Sequence, residues 1–198
     1  MRLLETDLPG CVLIEPQVHR DERGFFYESW NQARFDAAGL PVRFVQANVS
    51  WSRRDVLRGL HFQRASPQGK LVCVLDGEIW DVAVDVRRGS PNFGRWTAAT
   101  LSGENHRALW IPEGLAHGFV VRSDSALVHY LCTRPYDAGD EGSVRWDDPR
   151  IGIPWPVRTP LLSPRDAVAP RLDAIDPDRL PRYRGDVIPS GCARSPHR

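Results

Sequence analysis

The feature that most constrains this chain is a succession of short apolar runs that never lengthen into a helical period. Segments 11–18, 24–30, 42–51, 55–62, 70–76, 78–86, 93–101, 107–112, 117–123 and 126–133 are rich in Val, Leu, Ile, Phe, Trp and Tyr, and Gly, Pro, Asn and Asp separate them. β-Branched and aromatic residues fit a pleated, half-buried surface, and such separators end strands. Residues 80–86 alternate strictly, with Trp80, Val82, Val84 and Val86 on one side and Asp81 and Asp85 on the other. Asp76-Gly77, between KLVCVL and EIWDVAVDV, reads as a tight hairpin turn because glycine accepts a positive φ. The first half holds one predicted helix, over 31–39 (NQARFDAAG), closed by Gly39. Many short strands at close spacing predict an all-β chain, a sandwich or barrel with a few short helices.

Beyond residue 134 the pattern changes. Pro135, Pro149, Pro154, Pro156, Pro160, Pro164 and Pro170 break up any regular element, which predicts an ordered wrap over the barrel with a short helix near 164–169. The 198 residues fit one domain, placed at 1–176, with 177–198 as a C-terminal extension whose last ten residues are expected to be mobile. Lys+Arg is 26 against 25 for Asp+Glu, so no bulk charge draws the chain to nucleic acid or an acidic membrane. No apolar run approaches the ~18–20 residues of a membrane-spanning helix. The first residues lack the apolar stretch of a secretory signal, and a cytoplasmic location is expected. Cys11, Cys73, Cys132 and Cys192 form no CxxC pair, and Cys73 and Cys132 read as small core residues.

Several polar residues stand where apolar ones are expected. His61 and His117 sit in strand-like segments edged by glycine, and each alone is most simply a hydrogen-bonded structural histidine. Together with Arg58, Lys70, Tyr130 and Glu28, also inside apolar runs, they predict a polar pocket within the barrel, because buried charges need partners or a ligand. A metal centre is not expected: Gln63 stands where a His-x-His pair would need its second histidine. No nucleophile elbow, P-loop or dinucleotide fingerprint is present. The set that remains is a base (His61), a hydroxyl acid (Tyr130) and cations, which suits proton transfer next to a carbonyl with the cations stabilising an enolate. Asp166 can orient His61 by accepting its second ring N–H, or can simply favour a helix N-terminus. Tyr136 and Phe26 can stack on a planar base or merely pack. Arg58 and His61 are three residues apart, so both reach one pocket only if the strand bulges near Gly59.

Seven stretches in one order carry a family resemblance. They are Asp21-Glu-Arg-Gly-Phe-Phe-Tyr-Glu28, Phe44-Val-Gln-Ala-Asn-Val-Ser50, Val56-Leu-Arg-Gly-Leu-His-Phe-Gln63, Gln68-Gly-Lys-Leu-Val72, Gly89-Ser-Pro91, Trp110-Ile-Pro-Glu-Gly-Leu-Ala-His-Gly-Phe119 and Leu162-Ser-Pro-Arg-Asp166. Over about residues 3–170 the chain resembles the dTDP-4-dehydrorhamnose 3,5-epimerases, cupin-type jelly-roll barrels of the dTDP-rhamnose pathway. The resemblance implies that His61, paired with Asp166, removes the C3 and C5 protons, that Tyr130 returns a proton from the opposite face, and that Lys70, with Arg58, steadies the enolate. It implies that Arg23, Glu28, Gln46, Asn48, His117, Glu141 and Arg165 line the site for a dTDP-sugar substrate, with Tyr136 on the thymine. It further implies no metal, no organic cofactor, and a homodimer that exchanges N-terminal strands.

The chain departs from the family pattern in places. The loop between His61 and Lys70 is one residue shorter than usual, Ser66 stands where His is common, Ala47 varies, and the tail after 176 matches no family pattern. Alternatives to the 3,5-epimerase reading are a single-centre epimerase or ketoisomerase of a related sugar, a non-catalytic sugar-nucleotide-binding barrel, and a metal-dependent cupin oxygenase.

Overall fold

A computed structural model describes residues 1–186 and 192–194. In chain order the elements are β1 (Arg2–Glu5), β2 (Val12–Glu15), β3 (His19–Asp21), β4 (Gly24–Phe26), α1 (Gln32–Ala37), β5 (Gln46–Arg53), β6 (Leu57–Gln63), β7 (Lys70–Asp76), β8 (Glu78–Asp85), β9 (Trp96–Ser102), β10 (Ala108–Ile111), β11 (Leu115–Val121), β12 (Ser125–Cys132), β13 (Glu141–Ser143), α2 (Pro164–Ala167) and β14 (Ala193–Arg194). Seven strands form one sheet in the order β14-β1-β2-β10-β7-β12-β5, and five form a second in the order β13-β6-β11-β8-β9. The β3–β4 hairpin pairs only with itself. The all-β jelly roll expected from the sequence is therefore present. Its two sheets face each other without being hydrogen-bonded into a closed barrel.

The main core lies between the sheets. Val72, Val74, Leu109, Ile111, Ala126 and Val128 of the larger sheet pack on Ile79, Ala83, Leu101, Leu115, Phe119 and Val121 of the smaller one. Each fully buried Val or Leu contributes about 1.5–3 kcal/mol. Much of the smaller sheet's outer face and part of the larger sheet's are covered as well. Phe35 of α1, with Leu40, Trp30 and Phe44, packs over Ile14, Leu71, Cys73 and Trp110. The proline-rich segment lays Val144, Ile151, Leu172 and Leu180 over Leu60, Phe62, Val82, Val84, Val86 and Ala116. This double cover is why β11 is buried at every position and reads as a continuous apolar run. It also turns the β8 alternation around: the Val82/Val84/Val86 side faces the wrap, and Asp81 and Asp85 point between the sheets, fully buried.

The Asp76-Gly77 hairpin is not found. β7 pairs with β10 and β12, whereas β8 pairs with β11 and β9, so this dipeptide carries the chain from one sheet to the other. Gly77 has φ +78, and a Cβ there would sit 2.0 Å from the Ser125 carbonyl oxygen, so the turn packs against the β12 start and not as a free hairpin tip. Residues 177–186 are clasped to the body of the fold: buried Arg87 pairs with Asp85 and, at 2.8 Å, with Asp186, beneath the Tyr183 ring. Most of the last ten residues, expected to be mobile, lie outside the described residues.

Candidate active site

A cleft of about 480 Å3 opens between the sheets. The smaller sheet supplies His61 and Arg58 from β6 and His117 from β11. The larger sheet supplies Lys70 from β7 and Tyr130 from β12, and the segment around α2 adds Ser163, Arg165 and Asp166. The base and acid expected from the sequence therefore stand on opposite walls.

His61 and Arg58 share this cleft because β6 bulges. From Phe119 to His117 the β11 strand advances two residues, while its partner advances three, from Arg58 to His61. The extra residue brings both side chains to one side. Gly59 sits in the bulge with φ +116, and a Cβ there would lie 2.6 Å from Gly118 Cα and from the His117 carbonyl oxygen. Only glycine fits so close an approach without strain.

Asp166 serves both readings that the sequence left open. Its backbone N–H donates to the Ser163 hydroxyl at 3.1 Å, an N-terminal cap of α2. Its carboxylate accepts the Nε2–H of His61 at 2.6 Å, with Asp166 almost wholly buried. A carboxylate can only accept here, so Nδ1 is the ring nitrogen left with a lone pair. Burial alone pushes the Asp166 carboxyl up, but hydrogen bonds from His61, Ser163 and the Gly59 backbone outweigh it and hold the group below the ordinary carboxylate value.

The opposite wall is tuned differently. Burial pushes the Tyr130 hydroxyl above its ordinary value, which keeps the proton on the oxygen. Burial pushes Lys70 down, opposed by Cys132, Glu141 and Asp81. Lys70, Arg53 and Arg58 make no ion pair among the described residues, so cationic capacity faces the cleft unused. Arg53, Ser50 and Ser163 also line it; none was singled out from the sequence, because a lone arginine at a strand end, a serine within a strand or a serine before a helix carries no signal of its own.

His117 belongs to a second pair, its Nε2–H donating to buried Asp81 at 2.7 Å. Burial holds the His117 ring below the ordinary imidazole value, with Asp81 opposing. Asp81 was visible in the sequence only as a carboxylate inside an apolar strand.

Beside the cleft, the Glu141 carboxylate of β13 accepts from Tyr136 Oη at 2.7 Å and from Arg165, and lies 4.0 Å from His61 Nδ1. Gln46 Nε2 donates to Asn48 Oδ1 at 2.9 Å, and its Oε1 accepts the Tyr136 backbone N–H at 2.8 Å. Arg23, Phe26 and Glu28 are not brought to the cleft of their own chain. Arg23 pairs with Asp21, Phe26 is 71% exposed, and Glu28 pairs with Arg34; the β3–β4 hairpin is hydrogen-bonded into neither sheet and packs on His106, away from the cleft. Gln63, where a metal site would need histidine, holds the 135–137 loop, its Oε1 accepting the Asp137 N–H at 2.9 Å and its Nε2 donating to the Ser66 carbonyl at 2.7 Å. No three His, Cys, Asp or Glu side chains converge to hold an ion among the described residues.

Residues 5–174 match the family model described as dTDP-4-dehydrorhamnose 3,5-epimerase. The chain is 55% identical over 156 residues to an enzyme of that name from Methanothermobacter thermautotrophicus, covering 79% of this chain and 84% of that one. It is 52% identical over 176 residues to another from Salmonella typhimurium, covering 87% and 96%. Among solved structures it is similar to dTDP-6-deoxy-D-glucose-3,5-epimerase from Legionella pneumophila in complex with dTDP-4-keto-L-rhamnose, with a TM-score of 0.90 at 49% identity, covering 93% of this chain and 99% of that one. The fold is thus the cupin-type jelly roll of those enzymes. With a model match over most of its length and relatives above half identical, the chain belongs to the dTDP-4-dehydrorhamnose 3,5-epimerase family.

Proposed function

We propose that this protein is an isomerase that inverts C3 and C5 of dTDP-4-dehydro-6-deoxy-D-glucose to give dTDP-4-dehydro-L-rhamnose. The observation that carries the reading is the placement of His61 and Tyr130 on facing walls of one cleft. Inversion through a planar enolate needs a proton removed from one face and another delivered to the opposite face. His61 Nδ1 takes the proton from the carbon beside the C4 ketone, and Asp166 stabilises the resulting imidazolium. The C–H electron pair moves into the ring and the charge settles on the C4 oxygen, where the Lys70 ammonium, with Arg58, meets it. The Tyr130 hydroxyl then gives its proton to the far face of the carbon, and exchange with solvent resets both groups. C3 and C5 both flank C4, so one base and one acid serve both centres.

His117, Arg165, Gln46, Asn48 and Glu141 line the nucleotide-sugar site in this reading, and Tyr136 stacks on the thymine. Arg53 joins Arg58 and Arg165 as cationic groups for the diphosphate. No resident cofactor is required, since the ketone already acidifies both C–H bonds.

The active form is a homodimer. Val49, Trp51 and Leu75 leave an apolar patch on the outer face of the larger sheet, exposed to 62%, 63% and 48%. An exposed patch of this kind fits a self-association surface. In this reading the self-paired β3–β4 hairpin and the segment after it carry Arg23, Phe26 and Glu28 to a neighbour's cleft, which the 71% exposure of Phe26 supports. All four cysteines are free, which fits a reducing, cytoplasmic setting. No helix of the described residues is long and apolar enough to cross a membrane.

The test is incubation with dTDP-4-dehydro-6-deoxy-D-glucose in D2O, followed by NMR. Deuterium at C3 and C5 with formation of the L-rhamno product supports the reading. Exchange and inversion at one carbon only point to a single-centre epimerase, and binding without exchange points to a non-catalytic barrel.

A further inference from the structure

Glu141 faces the base from the side that Asp166 leaves open. Asp166 holds Nε2 of His61 at 2.6 Å, and Glu141 Oε1 lies 4.0 Å from Nδ1. The imidazole is thus set between two carboxylates, one in direct hydrogen bond and one at a stand-off. The separation has a chemical consequence. A carboxylate at hydrogen-bond distance would hold Nδ1 as an N–H and remove the lone pair that takes the substrate proton. At 4.0 Å the carboxylate leaves that lone pair free but still attracts the positive charge that appears when the proton arrives. Its interaction is therefore stronger with imidazolium than with imidazole, which is the requirement for lowering a barrier instead of merely binding.

Glu141 is built to hold this position. β13 pairs with β6 in a register that puts Glu141 opposite Gln63 and Ser143 opposite His61. The second oxygen of Glu141 accepts from Tyr136 Oη at 2.7 Å and from Arg165, so the side chain is fixed and largely buried, with 11% exposure. Burial opposes its ionisation, but these donors and His61 prevail and keep the carboxyl below its ordinary value.

We propose that Glu141 is a positioning residue for the epimerisation, a second carboxylate that acts through His61 by stabilising the imidazolium formed at Nδ1. This rests on the epimerase reading above and assigns Glu141 a role beyond lining the nucleotide-sugar site.

The test is the titration of the His61 ring followed by NMR on protein with labelled histidine, alongside steady-state kinetics, for wild type, Glu141→Gln and Tyr136→Phe. Glu141→Gln keeps the shape and an acceptor oxygen but removes the charge. The His61 midpoint should fall by ~0.5–1 unit, as expected for one charge about 4 Å away in a partly wet site. Turnover should fall by ~3–10-fold with KM changed by less than about 2-fold, the signature of an interaction made in the transition state. The acid limb of kcat against pH should move down with the His61 midpoint. Tyr136→Phe keeps the charge, so its His61 midpoint should not fall. An unchanged midpoint in Glu141→Gln overturns the proposal, as does a rise in KM at constant kcat, which would make Glu141 a nucleotide contact only. An equal fall in Tyr136→Phe also overturns it, by showing that loss of the network and not of the charge is responsible. Absence of any exchange in the wild-type protein would sink the epimerase reading itself, whereas the His61 titration is read without substrate.

Discussion

His117 stands directly across the β6–β11 ladder from His61, and each ring donates its Nε2–H to a carboxylate of its own, Asp81 for the one and Asp166 for the other. The two pairs differ in access: the His61 side chain is 29% exposed and His117 only 8%. Both rings line the cleft, but burial holds His117 below the ordinary imidazole value and packs it, whereas the His61 side chain is the more open of the two. In the proposed reaction the more open ring, His61, serves as the base and His117 as a fixed polar contact.

His61→Asn keeps much of the side-chain shape and removes the basic nitrogen. Deuterium uptake from D2O at C3 and C5 should fall by at least ~10²-fold, the usual contribution of a positioned base. NMR of the recovered substrate reads this directly. Uptake near the wild-type rate would place the base elsewhere.

Tyr130→Phe removes one hydroxyl from the opposite wall. Proton removal by His61 does not need that oxygen, so some exchange should persist while inverted product falls by ~10²-fold or more. The ratio of exchange to inversion, measured in one NMR experiment, is the quantity to compare. Normal amounts of inverted product would show that another group delivers the proton.

The alkaline limb of kcat against pH should belong to Lys70. Burial lowers the Lys70 pKa and raises that of Tyr130, so the ammonium is drawn toward the working range while the phenol is moved away from it. Loss of the charge leaves the enolate unsupported, and activity falls. Lys70→Arg keeps a cation that does not titrate in this range. Its residual activity, followed from about pH 7 to 11, should extend to higher pH than in the wild type. An unmoved limb would assign it to another group.

Gly59→Ala should damage fold and function together. The residue sits at φ +116, and the added Cβ would meet Gly118 Cα and the His117 carbonyl oxygen at 2.6 Å. Strained backbone costs about 1–3 kcal/mol and overpacking about 1–3 more. Urea denaturation should show a loss in that range. Any folded fraction should have low turnover, because the bulge sets His61 against Asp166.

Trp51→Glu places a charge in the exposed patch of the larger sheet. Trp51 is 63% exposed, so the folded chain itself should lose little stability. Light scattering should show a dimer for wild type and a dissociation constant at least ~10-fold higher for the variant, as for loss of an aromatic anchor. A wild-type monomer at micromolar concentration would count against the dimer.

The sequence by itself determined the fold class, because β-branched and aromatic runs cut by Gly and Pro have few ways to bury their apolar faces other than stacked sheets. It determined which residues are chemically able to act: His61, Tyr130, Lys70 and Asp166 are polar groups at positions where burial is costly unless they are used. Helix α1 was legible over 31–39 with its closing Gly39, and a short helix was expected near 164–169, where α2 lies; the caps Asn31 and Ser163 emerge only in the structure. Only the tertiary structure decided which groups meet. The partnership of His117 with Asp81 spans 36 residues and was not expected, and that of His61 with Asp166, expected from the family resemblance and not from any local pattern, spans 105. The same holds for Asp76-Gly77, whose local signal fits a hairpin equally well; the choice fell to the sheets, since each of β7 and β8 finds better partners elsewhere. Spacing placed Arg58 and His61 on opposite faces, and one extra residue at Gly59 put them on the same one. A bulge is fixed by how closely the neighbouring strand can approach, here the bare Cα of Gly118, and that contact exists only once the chain has folded.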